Sequence, residues 1–145
     1  MTEIFVKQVE GLTFVGRGNT RHWIPMDGPE TFGGSDAANR PMELFLMSLA
    51  GCSGADVASL LKKMRVDYDG FEIFVKGERA EEHPRVFTRI NLMYKLIGGK
   101  LSGQKELIEK AIRLSQDKYC SVSAMIRAAG IPINHSYELV EKAPI

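Results

Sequence analysis

The chain has 145 residues, a formal net charge of +1 and only two cysteines. A chain of this length most simply folds as one domain, residues 1–145, with a sizeable core. The near-neutral charge excludes the basic surface typical of nucleic-acid binding. No unbroken apolar run reaches the roughly 18 residues of a membrane span, and the N-terminus lacks a signal-peptide pattern. We therefore expect a cytoplasmic protein that binds neither nucleic acid nor membrane.

Alternating apolar and polar residues predict three strands at the N-terminus, over residues 3–10, 12–18 and 20–27, with a turn at Gly18-Asn19. A glycine-rich loop follows, with the sequence "GPETFGGSDAANR". It leads to Pro41, a residue that suits the first turn of a helix, and the apolar pattern extends this helix to about Arg65.

The second half of the chain predicts strands over 71–81 and 85–98, helices over 102–119 and 119–129, and a final strand over 133–141. The turn between the strands over 71–81 and 85–98 contains His83-Pro84, and Gly130 ends the helix over 119–129. In the helix predicted over 102–119, an apolar stripe of Leu107, Ala111 and Leu114 is expected to face the core. The order βββ-α-ββ-αα-β indicates an α+β fold.

The helix that begins at Pro41 is apolar on nearly every side from Met42 to Ala50, except at Glu43 and Ser48. A helix that is hydrophobic all round is normally buried. A chain of 145 residues could hardly cover such a helix alone, so we expect a dimer that wraps around it.

Two glycines of this helix, Gly51 and Gly54, lie among other small residues. They predict a bare surface that another element approaches closely, because glycine in a helix interior otherwise costs about 1 kcal/mol relative to alanine.

The two thiols have different settings. Cys52 lies about three turns into its helix, where the helix dipole contributes little, and Asp56 one turn later would oppose a thiolate unless it is turned away or paired. A reactive Cys52 would therefore need a cation from elsewhere in the fold. Cys120 lies near the start of a predicted helix and close in sequence to Lys118, so backbone N–H groups and the positive end of the helix dipole could stabilise its thiolate. For each cysteine, an ordinary buried side chain remains the alternative.

The sequence offers little support for a zinc site or a phosphate-binding loop. The three histidines, His22, His83 and His135, have none of the spacings of a zinc site. The glycine-rich stretches lack the strand-loop-helix framing of a phosphate-binding loop. We expect neither a metal ion nor a bound cofactor.

Three segments, "RPMELFLMSLAGCSGADV", "EEHPRVFTRINLMY" and "LSQDKYCSVSAMI", occur in an order that resembles the OsmC/Ohr family of thiol-dependent hydroperoxide reductases. The resemblance covers nearly the whole chain. It implies an OsmC-like α+β fold, with antiparallel sheets around a long central helix, in an intertwined homodimer whose active sites draw on both chains.

The resemblance also implies roles for individual residues. Cys52 matches the cysteine that attacks an organic hydroperoxide, and Cys120 matches the resolving cysteine that forms a disulfide with it. The reductant of that disulfide would be a dihydrolipoyl protein or a small thiol.

The family also uses an arginine and a glutamate beside the reactive thiol. Arg17 is our first candidate for the arginine, with Arg21 and Arg40 as alternatives. Glu43 matches the glutamate only approximately, because the family places it one position earlier relative to the cysteine. One position on a helix is a rotation of about 100°.

Three functions remain open at this stage: an organic hydroperoxide reductase that acts in oxidative-stress defence, a dimeric module that binds a small apolar ligand, and a dimeric scaffold with inert thiols. Rapid oxidation of Cys52 by a stoichiometric organic hydroperoxide would distinguish the first from the others.

Overall fold

The computed structural model describes residues 1–143. Within that range the chain forms six β-strands and three α-helices. In chain order they are β1 (Phe5–Glu10), β2 (Thr13–Arg17), β3 (Trp23–Met26), α1 (Pro41–Lys63), β4 (Gly70–Arg79), β5 (Phe87–Gly98), α2 (Lys105–Leu114), α3 (Ser121–Ala128) and β6 (Ile133–Glu141). The α+β class and the predicted order of elements are confirmed.

The chain divides into two compact units, with the boundary between Phe45 and Leu46, inside α1. The first unit holds the three N-terminal strands, and the second holds the remaining strands and helices. That residues 1–145 act as a single domain stays a prediction.

The N-terminal unit is built on an antiparallel meander in the order β1-β2-β3. The predicted turn between β2 and β3 is present, because the N–H of Arg21 donates to the carbonyl of Gly18. All six residues of β1 are exposed within one chain. Large apolar side chains are among the exposed residues of this unit: Ile4, Phe5, Val6, Val9, Phe14, Trp23 and Ile24.

The glycine-rich loop is organised by Asp27, whose side chain is buried. Its carboxylate accepts hydrogen bonds from the backbone N–H groups of Gly28, Ser35 and Ala37 and from the Thr13 hydroxyl. Burial would raise the pKa of this carboxyl, but these hydrogen bonds outweigh it and the pKa of Asp27 is lowered. A charged side chain therefore shapes a loop that the sequence marks only by its glycines.

Helix α1 begins at Pro41, as predicted, and ends at Lys63. In its C-terminal part, one face is buried at positions spaced four residues apart, namely Leu49, Ser53, Val57 and Leu61. Elsewhere large side chains are exposed, and Met47 is 49% exposed. By length and composition the helix could cross a membrane, with a mean hydropathy of 1.6 over 18 residues, although no unbroken apolar run of that length exists. A single chain thus covers only one face of the helix.

The predicted close approach holds for one of the two helix glycines. A methyl group on Gly54 would lie 2.8 Å from Cδ1 of Ile73 on β4. Around Gly51, by contrast, the described part of the chain places nothing within 4 Å of such a methyl. No approach to Gly51 is therefore made within one chain, and its packing against a second chain stays a prediction.

The second sheet has the order β4-β5-β6. Strand β4 pairs antiparallel with β5, whereas β6 pairs parallel to β5, from Ile90↔Ile133 to Gly98↔Glu141. The expectation of antiparallel sheets is thus correct for the first sheet and incomplete for the second. Helices α2 and α3 connect β5 to β6. They return the chain to the end of the sheet at which β5 begins, as a parallel connection requires.

The predicted helix over 102–119 is in fact three segments. A 3-10 turn at Ser102–Gln104 precedes α2, and a π-helical turn at Ser115–Tyr119 follows it. The buried face of α2 is Ile108, Ala111 and Ile112. The predicted stripe was wrong at Leu107, which is 39% exposed, because the sequence carries two neighbouring apolar stripes and periodicity alone does not choose between them.

Candidate functional site

The two cysteines meet although 68 residues separate them in sequence. Cys52 lies three turns into α1, and Cys120 occupies the N-cap position of α3. Their sulfur atoms lie within 4.8 Å of each other, and both thiols are free. Cys52 is half-buried, whereas Cys120 is buried with 3% of its surface exposed. The fold therefore presents one accessible thiol with a second, protected thiol behind it.

The surroundings of Cys52 favour its thiolate. Burial would raise the pKa of Cys52, but hydrogen bonds from the backbone N–H of Val122, the Cys120 thiol and the Ser121 hydroxyl outweigh it, and the pKa is lowered. The Ser121 Oγ lies 3.9 Å from the Cys52 sulfur. Groups at the start of α3 thus supply the stabilisation that the sequence led us to seek in a cation.

Cys120 has the opposite tendency. Burial raises the pKa of the Cys120 thiol, and the neighbouring Cys52 adds to the increase, although Ser123 opposes it. The backbone N–H of Ser123 donates to the Cys120 sulfur at 3.4 Å, which is the capping hydrogen bond of α3. The start-of-helix position predicted for Cys120 is confirmed. Its pKa, however, rises, because burial outweighs the helix terminus.

Asp56 completes the immediate surroundings of the thiols. One of its carboxylate oxygens lies within 4.8 Å of both sulfur atoms. Its negative charge raises the pKa of Cys52, as expected from the sequence. The Ser115 hydroxyl donates to Asp56 Oδ2 at 3.4 Å, so the carboxylate has a hydrogen-bond partner, and residues 1–143 place no cation in an ion pair with it.

A buried polar network lies next to this cluster. The Ser53 hydroxyl is hydrogen-bonded to Tyr94 Oη at 2.6 Å and to Ser115 Oγ at 2.9 Å. The Gln116 side-chain amide donates to both Ser53 and Tyr94, and Arg127 in turn donates to Gln116. The network ties α1, β5 and the π-helical turn together immediately behind the thiols, and it holds the backbone that leads into Cys120.

The candidate arginines lie in the N-terminal unit. Arg17, on β2, places its guanidinium 5.8 Å from the ring centre of Phe5 and 5.0 Å from that of Trp23. Arg21 follows the β2–β3 turn with a positive φ of 62°. Arg40 forms an ion pair with Asp36 at 2.7 Å.

Glu43 has a structural task at the start of α1. Its carboxylate accepts a hydrogen bond from the backbone N–H of Arg40 at 2.9 Å. Arg40 precedes the first helical residue, so this is the returning half of a capping box. The one-position departure from the family pattern therefore coincides with a side chain that caps the helix.

Sequence reasoning missed the residues that come from the π-helical turn and the start of α3. Ser121 and Val122 directly follow Cys120 in sequence, but only the tertiary structure brings them to Cys52. Ser115 precedes Cys120 by five positions and reaches Asp56 instead. The motif "KYCSVS" was the one available signal, since serine after an N-cap residue can place a hydroxyl at the same end of the helix.

Comparison with known proteins agrees with this architecture. The family model for OsmC-like proteins matches residues 33–136. The protein YhfA of Escherichia coli is 45% identical over 135 residues, which is 93% of this chain and 96% of YhfA.

Two solved structures extend the comparison. A hypothetical protein from Aquifex aeolicus is 31% identical, with a TM-score of 0.82 over 99% of this chain and 98% of its own. The organic hydroperoxide resistance protein OhrB of Bacillus subtilis shares the fold at 15% identity, with a TM-score of 0.61 over 95% of this chain and 98% of its own. Sequence and fold together assign the chain to a family: it is an OsmC-like protein.

Proposed function

We propose that this protein is a thiol peroxidase that reduces organic hydroperoxides, with Cys52 as the attacking residue and Cys120 as the resolving residue. One observation carries the proposal. Two free thiols lie within reach of each other, and their pKa values are shifted in opposite directions, down for Cys52 and up for Cys120. This division suits a peroxidase, because the first thiol must be ionised and exposed while the second must wait, protonated and protected, for the intermediate.

The reaction balances with these two thiols alone. The Cys52 thiolate attacks the distal oxygen of the hydroperoxide ROOH, the O–O bond breaks, and the leaving alkoxide takes a proton to become the alcohol ROH. Cys52 is then a sulfenic acid. The Cys120 sulfur displaces its hydroxyl, which leaves as water, and a disulfide forms. An external dithiol returns two electrons and two protons and restores both thiols.

Membership in the OsmC-like family and the fold shared with organic hydroperoxide resistance proteins support a redox protein of stress responses. We propose oxidative-stress defence in the cytoplasm as its role, since a reducing compartment keeps the two thiols ready. The apolar side chains of α1 favour organic hydroperoxides over hydrogen peroxide as substrates. A dihydrolipoyl protein or a small thiol is the proposed reductant.

Arg17 is proposed as the cation that polarises the peroxide and holds the thiolate. Its guanidinium carries two aromatic neighbours and the described residues give it no ion pair, so its charge is not already neutralised. Arg40 is a weaker candidate because Asp36 pairs with it. For Glu43, capping of α1 is the role that its hydrogen bond supports, and a part in catalysis would be additional to it.

A homodimer is the proposed assembly. Within one chain, β1 is exposed along its whole length and α1 is covered on one face only. Apolar surface of this extent is unusual for a monomer. We propose that a second copy of the chain covers this surface. In a symmetric pair, the apolar helix and the exposed apolar sheet of one subunit can each pack against the partner subunit.

The test is a titration of the reduced protein with a stoichiometric amount of an organic hydroperoxide. Mass spectrometry of the protein follows the reaction. We expect oxidation within seconds, with the loss of two hydrogens per chain that marks a disulfide. Hydrogen peroxide at the same concentration should react more slowly. Thiols that stay reduced under these conditions would reject the proposal. That result would favour one of two other functions. The first is a dimeric module that binds a small apolar ligand on its exposed apolar surface, and the second is a dimeric scaffold with inert thiols.

A further inference from the structure

The two thiols and Asp56 form a donor set that the peroxidase chemistry does not use as a whole. Cys52 Sγ, Cys120 Sγ and a carboxylate oxygen of Asp56 all lie within 4.8 Å of one another. Two thiolates and one carboxylate are ligands that Zn²⁺ takes in proteins, and sites with three protein ligands keep a fourth position open. We propose that the reduced protein binds one Zn²⁺ per chain through these three side chains, with water in the fourth position.

The distances fit such an ion. Zn–S bonds of about 2.3 Å in a tetrahedral arrangement place two sulfur atoms about 3.8 Å apart. Starting from separations within 4.8 Å, the two sulfur atoms need to approach each other by no more than about 1 Å, and the carboxylate oxygen needs to approach each sulfur by no more than about 1.3 Å. Side-chain rotation at the half-buried Cys52 and Asp56 can supply this movement, while the buried Cys120 stays in place.

Hydrogen-bond donors already surround all three ligand side chains. Backbone N–H groups of Val122 and Ser123 donate to the two sulfur atoms, as they do around thiolates that bind metals. The Ser115 hydroxyl donates to Asp56 Oδ2, and Ser115 is itself fixed by Ser53 at 2.9 Å. Outer hydrogen bonds of this kind orient the ligands of a metal site.

The binding step transfers no electrons. Each thiol that is protonated in the free protein releases its proton to solvent as its bond to zinc forms, so affinity rises with pH. A disulfide between Cys52 and Cys120 removes both sulfur ligands at once. Zinc and peroxide therefore compete for the same reduced thiols. Zinc binding itself does not depend on the proposed peroxidase activity, and only its inhibitory effect rests on that function.

The experiment measures zinc binding directly. The full-length protein is reduced, and Zn²⁺ affinity is determined by competition with a chromophoric chelator. One portion is first oxidised to the disulfide with diamide, which requires no peroxidase activity. We expect one zinc per reduced chain and none per oxidised chain. Co²⁺ added to the reduced protein should give the intense visible bands of a tetrahedral site and the ultraviolet charge-transfer band of thiolate ligation.

Variants assign the ligands. Asp56→Asn keeps the shape and a hydrogen-bond acceptor for Ser115, and it should weaken zinc binding at least about tenfold. Cys120→Ser should abolish stoichiometric binding. Glu106→Gln is the matched control, because it makes the same carboxylate-to-amide change on an exposed position of α2, and it should bind zinc as the wild type does.

Three results would overturn the proposal: no stoichiometric zinc on the reduced wild type, equal binding by the oxidised protein, or unchanged affinity in Asp56→Asn. The first two need no variant, so the proposal stays testable even where a substitution impairs folding. With one equivalent of zinc present, peroxide should oxidise the thiols at least about tenfold more slowly, and a chelator should restore the rate. An unchanged oxidation rate with zinc bound would contradict ligation of zinc by the reacting thiols, whereas thiols that peroxide leaves reduced in the absence of zinc would count against the peroxidase function alone.

Discussion

The hydroxyl of Ser53 on α1 is hydrogen-bonded to the phenol of Tyr94 on β5 at 2.6 Å, and both residues are fully buried. The Gln116 side-chain amide donates to both oxygens. This relationship couples the helix that carries Cys52 to the sheet and to the turn that leads into Cys120. A polar group in such a place is stabilising only while all its partners are satisfied.

Tyr94→Phe should therefore destabilise the protein by about 1–3 kcal/mol, because it removes one hydroxyl from a buried network and leaves Gln116 and Ser53 with one partner fewer. Denaturant unfolding followed by circular dichroism measures the change. Tyr119→Phe is the control, since Tyr119 is 50% exposed and should change stability by less than about 0.5 kcal/mol. Equal effects of the two substitutions would contradict the assigned role of the network.

The two thiols should respond differently to replacement. Cys52→Ser should abolish peroxide consumption, because a serine hydroxyl is not ionised near neutral pH and cannot replace the thiolate. Cys120→Ser should consume about one equivalent and then stop as the sulfenic acid, which proceeds to the sulfinic acid in excess peroxide. Mass spectrometry distinguishes these products. Continued turnover by Cys120→Ser would show that another thiol resolves the intermediate.

The rate of peroxide attack should follow the ionisation of Cys52. Since the pKa of Cys52 lies below its ordinary value, the rate should rise with pH and level off at a lower pH than for a free cysteine. The negative charge of Asp56 raises this pKa, so Asp56→Asn should shift the profile further toward acid pH. Alkylation of reduced Cys52 by iodoacetamide across a pH series gives the same midpoint independently. A midpoint that moves toward alkaline pH in Asp56→Asn would refute the assignment.

Replacement of Arg17 tests the proposed cation. Arg17→Met keeps an apolar side chain between Phe5 and Trp23 and removes the charge. If Arg17 holds the thiolate, the pKa of Cys52 should rise and the rate of peroxide attack should fall by at least about tenfold, with little change in unfolding free energy. Arg21→Met and Arg40→Met serve as matched comparisons. The arginine whose loss raises the pKa of Cys52 is the functional one, and an unchanged pKa in Arg17→Met would remove it from the mechanism.

Assembly can be tested at Gly51. We expect an obligate homodimer that buries more than about 2,000 Å², observed by sedimentation velocity at micromolar concentration. In an isolated subunit Gly51→Ala should stabilise α1 by about 1 kcal/mol, because a methyl there meets no described neighbour. If a second copy packs against this glycine, the same substitution should weaken the dimer instead. A folded wild-type monomer at micromolar concentration would rule out the proposed assembly.

The sequence determined the class of fold and the order of its elements. Period-two alternation marked β5, whose buried residues Ile90, Leu92, Tyr94 and Leu96 follow every second position. Pro41 marked the start of α1, and Gly130, with φ of 80°, closed the last helix. These signals are local, because backbone geometry and side-chain period act within a few residues. Resemblance to a family supplied the pairing of Cys52 with Cys120, which no local pattern contains.

What only the tertiary structure decided is the environment of the thiols. From sequence, a reactive Cys52 required a cation; in the fold, the N–H of Val122 and the hydroxyl of Ser121 lower its pKa. No motif in the sequence predicts that Cys52, Asp56 and Cys120 lie together, because Cys120 is 68 positions from Cys52. Helix geometry places Asp56 one turn from Cys52, and this was visible in the sequence. The thiol of Cys120, the N–H of Val122 and the hydroxyl of Ser121 reach Cys52 only through long-range packing.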